Sequence, residues 1–225
     1  MIAESVRRSW IEPVVVSIAV LLPGVVPGGP GPGDAAVWLG AGASQALSQF
    51  ALLLVIIGST GRLRDYGIGR LRPGDVLRAV PLLGIIVLLA RAAAALAAVL
   101  FHGSEEAFSA VPSAGNSPDL LVILLSGLFA IAVGYREELF YRVYVIGALR
   151  ERGAGTAAAV LVSTGLFAAG HAYQGLPGIV SSLLVGAVMA AAASGGFRLH
   201  ALALAHAAYD FGVLMAAFGF ASGST

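Results

Sequence analysis

Apolar residues gather into seven long runs: Trp10 to Val26, Ala35 to Ile57, Ala79 to Phe101, Leu120 to Leu149, Thr156 to Ala172, Gly178 to Ser194 and Leu199 to Gly219. Most approach the ~17 to 25 residues that a helix needs to cross a bilayer. The joints carry breakers or polar residues: a Pro/Gly turn over Pro27 to Gly33, a polar loop from His102 to Pro118, and Gly175, Pro177 and Gly178. The pattern predicts an all-α fold, a polytopic transmembrane helix bundle of about seven spans. Residues 1–225 form a single integral-membrane domain on this reading, because no segment remains to build a separate water-soluble core. Ala and Gly are frequent inside the runs, where small side chains let helix backbones approach closely. There is no internal repeat.

Composition agrees with the bilayer as solvent. Hydrophobic residues make up 58% of the chain and charged ones 11%, against roughly 25% charged in average globular proteins; mean hydropathy is +0.91. Cysteine is absent, which excludes disulfides, thiolate metal sites and a cysteine nucleophile. All 13 basic residues are Arg, so lysine Schiff-base chemistry and a P-loop lysine are excluded too. The Arg residues form no basic stripe, and no nucleic-acid partner is expected. They do alternate. Arg7 and Arg8, then Arg62, Arg64, Arg70 and Arg72, then Arg150 and Arg152, then Arg198 occupy every second joint, while Asp34, Glu105, Glu106 and Asp119 lie in the others. The positive-inside rule then predicts a multi-pass protein of the cell membrane with a cytoplasmic N-terminus and an external C-terminus. The first run follows Arg7 and Arg8 as a signal peptide would, but no clear small-residue cleavage site follows it.

Ionisable groups inside the runs are the candidates for chemistry, since each costs at least ~2.5 to 3.5 kcal/mol near the membrane centre. They are Arg91, the cluster Arg136, Glu137, Glu138 and Arg142, then His171, His206 with Asp210, and, less deeply, His200. Glu138 and Arg142 are spaced i,i+4 and read as an ion pair that inserts as a near-neutral unit. Glu137 lies about 100° around an α-helix from Glu138, has Tyr141 four residues on, and is expected to lack a local partner. A lone buried histidine is more often simply hydrogen-bonded than reactive. His206 and Asp210, however, share a helix face, so the carboxyl group can orient the imidazole. If the fourth helix runs unbroken to Leu149, a rise of ~1.5 Å per residue puts Glu137 ~20 Å from its cytoplasmic end, His171 ~24 Å and His206 ~12 Å along their own spans. Tilt and uneven ends can close the remaining spread. One carboxylate and two imidazoles would then line a cavity suited to activating water and stabilising an oxyanion.

These residues carry a resemblance. Glu137 to Arg142 matches EExxxR, Phe167 to His171 matches FxxxH, and His206 to Asp210 matches an HxxxN/D element. In that order and spacing the chain resembles the CAAX protease and bacteriocin-processing family of intramembrane proteases, related to the type II CAAX prenyl proteases. The likeness covers residues 120–212 as a catalytic core, and the first three spans resemble nothing assignable. It implies Glu137 as the residue acting with His171 on water, His206 and Asp210 at the oxyanion, Glu138 and Arg142 in support, and no metal. Two positions depart from the pattern: Asp210 stands where Asn is commoner, and Val143 where Gly often follows the Arg.

The expected function is therefore endopeptidase cleavage of a membrane-associated peptide or protein by Glu/His-activated water. Glutamate with two histidines is also a conventional zinc set, so a zinc metalloprotease is the nearest alternative. A non-catalytic immunity or scaffold protein would keep the cluster only to bind helices. A proton-coupled transporter would use Glu137, Arg91 and the histidines as a relay, but lacks the expected inverted repeat.

Overall fold

A computed structural model describes residues 10–25, 35–59, 68–101 and 119–219. The Pro27 to Gly33 turn, the His102 to Pro118 loop, and Arg7, Arg8, Arg62, Arg64, Asp34, Glu105 and Glu106 lie outside the described residues. Among those described, the chain is helical without strands: α1 (Ile11–Val25), α2 (Ala35–Ser59), α3 (Pro73–Phe101), α4 (Leu120–Glu151), α5 (Thr156–Gly170), α6 (Gly175–Ser194) and α7 (Leu199–Ala217). Five segments, in α2, α3, α4, α6 with the turn before it, and α7, are long and apolar enough to cross a membrane; α1 and α5 are apolar but shorter. The multi-pass helical bundle expected from the sequence is what the chain forms.

α3 starts six residues before the apolar run does. Pro73 takes the first helical position, where its missing N–H costs nothing, and Asp75 Oδ2 accepts the Arg72 amide at 2.9 Å to close the first turn. Asp75 is buried because Arg198 donates to the same oxygen at 2.7 Å while also donating to Arg70 O at 3.1 Å. His200 is part of this clasp. Its Nε2–H donates to Gly69 O at 2.5 Å and its Nδ1 accepts the Tyr135 hydroxyl at 2.9 Å, so both ring nitrogens are used in joining α4, α7 and the segment before α3. Arg91, one of the ionisable candidates read from the sequence, is exposed on α3.

α4 is the central rod. It packs on α2 and α7, α3 packs on α7 and α6, and α5 packs on α6. A Cβ added at Gly134 would stand 3.0 Å from both Ala203 O and Ala207 N, so glycine is what lets α4 and α7 touch backbone to backbone. The rod does continue past Gly134 to Glu151, but not as one α-helix. It is α-helical over Leu120–Glu137, π-helical over Glu138–Val145, and α-helical again over Ile146–Glu151. All eight π residues are buried, against α2, α5, α6 and α7. The i→i+5 bonding of a π turn widens the helix, and such turns are frequent at functional sites.

Candidate active site

The first two residues of the π junction, Glu137 and Glu138, reach the same imidazole. His206 Nδ1 lies 2.8 Å from Glu138 Oε1, and its Nε2 lies 3.7 Å from Glu137 Oε2 and 3.6 Å from Asp210 Oδ2. On an unbroken α-helix the neighbouring glutamates would diverge by about 100°. Here they approach opposite edges of one ring, and His206 is 6% exposed. A carboxylate only accepts, so Nδ1–H donates to Glu138, which fixes the ring's orientation.

Glu138 also faces Arg142, whose Nε stands 3.4 Å from Oε2, and both side chains are fully buried. The i,i+4 contact read from the sequence is present. The expected isolation of Glu137 is not: Arg136 Nη2 donates to Glu137 Oε1 at 2.7 Å. A helical-wheel argument misses this pair because adjacent residues do not face each other, whereas the long Arg stem folds back along the helix to reach its neighbour. Glu137 Oε2, by contrast, is buried with no hydrogen-bond partner. One oxygen is thus held and the other turns toward His206.

His171 closes α5 as its C-terminal cap, ahead of the turn Ala172–Gln174. Its Nδ1 lies 2.8 Å from Phe167 O. A carbonyl only accepts, so Nδ1 carries a proton, and in the neutral ring Nε2 is the acceptor. His171 is half-buried, within electrostatic reach of Glu137 and Asp210, but its hydrogen bond goes to its own helix. Phe167 lies between the histidines, its ring centroid 4.4 Å from His171 and 5.9 Å from His206, while the Arg142 guanidinium lies 4.6 Å from the same ring. The Phe of FxxxH therefore spaces the two imidazoles. Val143, at the position where Gly is commoner, is packed in the π segment.

Arg136, named from the sequence among the ionisable candidates but given no role there, holds Glu137. Two further groups in contact with this site were not singled out from the sequence as functional. Ser163 Oγ accepts from Arg142 Nη1 at 3.3 Å and donates to Tyr141 O at 2.7 Å. Tyr141 stacks edge-on against Phe167 at 5.1 Å. The i,i+4,i+8 spacing of Ser163, Phe167 and His171 is the one signal that could have drawn attention to the serine. As to metals, His206 Nδ1 is already engaged by Glu138, and among the described residues no group of three or more His, Cys, Asp or Glu is disposed to hold a metal ion.

One family match covers α4 through most of α7 and takes in all three motifs. Residues 117–212 match the Rce1-like family, described as type II CAAX prenyl endopeptidase. The resemblance read from EExxxR, FxxxH and HxxxD is thereby shown. No curated protein and no solved structure gives a significant match. Within the Rce1-like segment the described geometry brings the buried Glu137, Glu138 and His206 together with the half-buried Asp210, with His171 at the edge of the group.

Proposed function

We propose that the chain is an intramembrane endopeptidase that hydrolyses a peptide bond of a membrane-associated substrate with water activated by Glu137 and His171. The observation that carries this is the buried oxygen of Glu137, unpaired and turned toward an imidazole already gripped from behind by Glu138, inside an Rce1-like segment. Glu137 Oε2 and His171 Nε2 are both acceptors, so either can take a proton from water as it attacks the scissile carbonyl. The carbonyl π bond opens and its oxygen becomes an oxyanion. Three carboxylates (Glu137, Glu138, Asp210) and two guanidiniums (Arg136, Arg142) leave the cluster one positive charge short of balance. His206 as an imidazolium supplies that charge, and its Nε2–H is the donor for the oxyanion. The C–N bond then breaks as the abstracted proton passes to the leaving amine.

In this reading Asp210 orients His206, Glu138 and Arg142 support it, and no metal takes part. The N-terminus is cytoplasmic, so the Arg-bearing ends of the helices face the cytoplasm. The test uses purified protein in proteoliposomes with membrane-anchored peptides, a prenylated CAAX peptide among them. Wild-type cleavage abolished in Glu137→Gln, with unchanged thermal unfolding, is the expected result. Wild-type turnover in that variant would remove Glu137 from the reaction.

A further inference from the structure

Ser163 is fully buried on α5, one turn before Phe167 and two before His171. A serine hydroxyl has a single proton and lone pairs to accept with. Here the proton goes to Tyr141 O and a lone pair faces Arg142 Nη1, so both partners lie in the π segment of α4. Arg142 is itself buried, and its Nε and Nη2 have no hydrogen-bond partner among the described residues. Ser163 is therefore the acceptor that fixes the guanidinium plane. From there the contacts run on without a gap, from Arg142 Nε to Glu138 Oε2 at 3.4 Å and from Glu138 Oε1 to His206 Nδ1 at 2.8 Å. Ser163 lies outside all three motifs.

We infer that Ser163 is a positioning residue for His206: through Arg142 and Glu138 it sets the ring orientation in which Nε2 faces Glu137 and Asp210. Its effect on rate rests on the protease reading above, whereas its effect on the ring does not. A hydroxyl that merely fills space in α5 would leave an imidazole three contacts away unchanged.

The experiment uses the full chain in detergent with 15N-labelled histidine. The chain has 4 His, and the His206 ring signals are assigned by their loss in His206→Gln. Ser163→Ala should shift the Nδ1 resonance of His206. It should also lower kcat about 10- to 100-fold, the scale of a small misplacement of a reacting group, with KM for the anchored peptide unchanged. Ser163→Thr, which keeps the hydroxyl, should restore both. Where the Ala variant does not fold, Ser163→Cys carries the same test, because its thiol is only a weak donor and acceptor. An unmoved His206 resonance in the folded variant overturns the inference, as does a rate loss that tracks only the folded fraction. A wild-type protein that cleaves no peptide counts against the protease reading, and the ring resonances still decide the role of Ser163.

Discussion

Glu138 Oε1 lies 2.8 Å from His206 Nδ1, a bond that spans 68 residues of sequence and ties the π segment of α4 to α7. It changes what the second glutamate of the motif does. As the i,i+4 partner of Arg142 alone, Glu138 would matter only for stability. With the imidazole attached, it also sets which nitrogen of His206 faces Glu137 and Asp210.

Glu138→Gln should therefore impair both properties. Removing one charge from a fully buried pair leaves Arg142 uncompensated, a change that costs about 3 kcal/mol or more. Thermal unfolding in detergent should fall, and turnover per folded molecule should fall with it. Reduced stability beside unchanged turnover would return Glu138 to a purely structural role.

Helix positions were largely legible because a membrane helix writes its length in apolar residues. Leu120, Thr156 and Leu199 each begin a helix where the apolar run begins, and Asp119 caps α4 by accepting the Val122 amide at 2.8 Å. Glu137, Glu138, His206 and Asp210 stood out for a related reason, since ionisable groups in apolar runs are costly. What did not show was geometry that depends on helix type and on distant partners. A wheel drawn at 3.6 residues per turn separates Glu137 from Glu138, and only the placement of α7 shows that both reach opposite edges of the His206 ring. Arg136 adjoins Glu137, a spacing that carries no face signal. Ser163 looks like any small residue in an apolar helix, and its importance comes from Arg142, 21 residues away. Arg91 shows the reverse error: cost alone does not place a charge in the interior, and this one is exposed.

Gly134 gives a prediction about distance. A methyl group there would meet Ala203 O and Ala207 N, backbone atoms that can yield only if α7 moves. His206, at the centre of the candidate site, is the residue before Ala207 on α7. Gly134→Ala should cost about 1 to 3 kcal/mol in stability, the range for overpacking, and lower turnover by up to about 10²-fold as His206 shifts from the glutamates. Gly134→Val should be worse on both measures. A fully active Ala variant would mean that the α4–α7 spacing does not set the site.

Metal chemistry separates the favoured reading from its nearest rival. Activity should survive prolonged treatment with a strong chelator, and elemental analysis of active protein should find metal well below one equivalent. Stoichiometric zinc, with activity lost on removal and regained on addition, would make Glu137 and the histidines ligands instead. The bond from His206 Nδ1 to Glu138 would then hold the ring so that Nε2 points at the metal.

Asp210 is where this chain departs from the commoner asparagine, and its position says what the substitution should do. Its Oδ2 stands 3.6 Å from His206 Nε2, the nitrogen assigned to the oxyanion, one helical turn along α7. A carboxylate here attracts an imidazolium and holds its Nε2–H toward the site, although beside a developing oxyanion the same charge is repulsive. Asparagine would exchange that attraction for an amide that can itself donate to the oxyanion. The two effects oppose each other, so Asp210→Asn should keep activity. Alanine supplies neither, and Asp210→Ala should lose roughly 10²-fold or more in kcat, the scale of removing one oxyanion-hole donor. Turnover of the two variants on the same anchored peptide, normalised to folded protein, makes the comparison. An inactive Asn variant beside an active Ala variant would show that Asp210 serves some purpose other than holding His206 at the oxyanion.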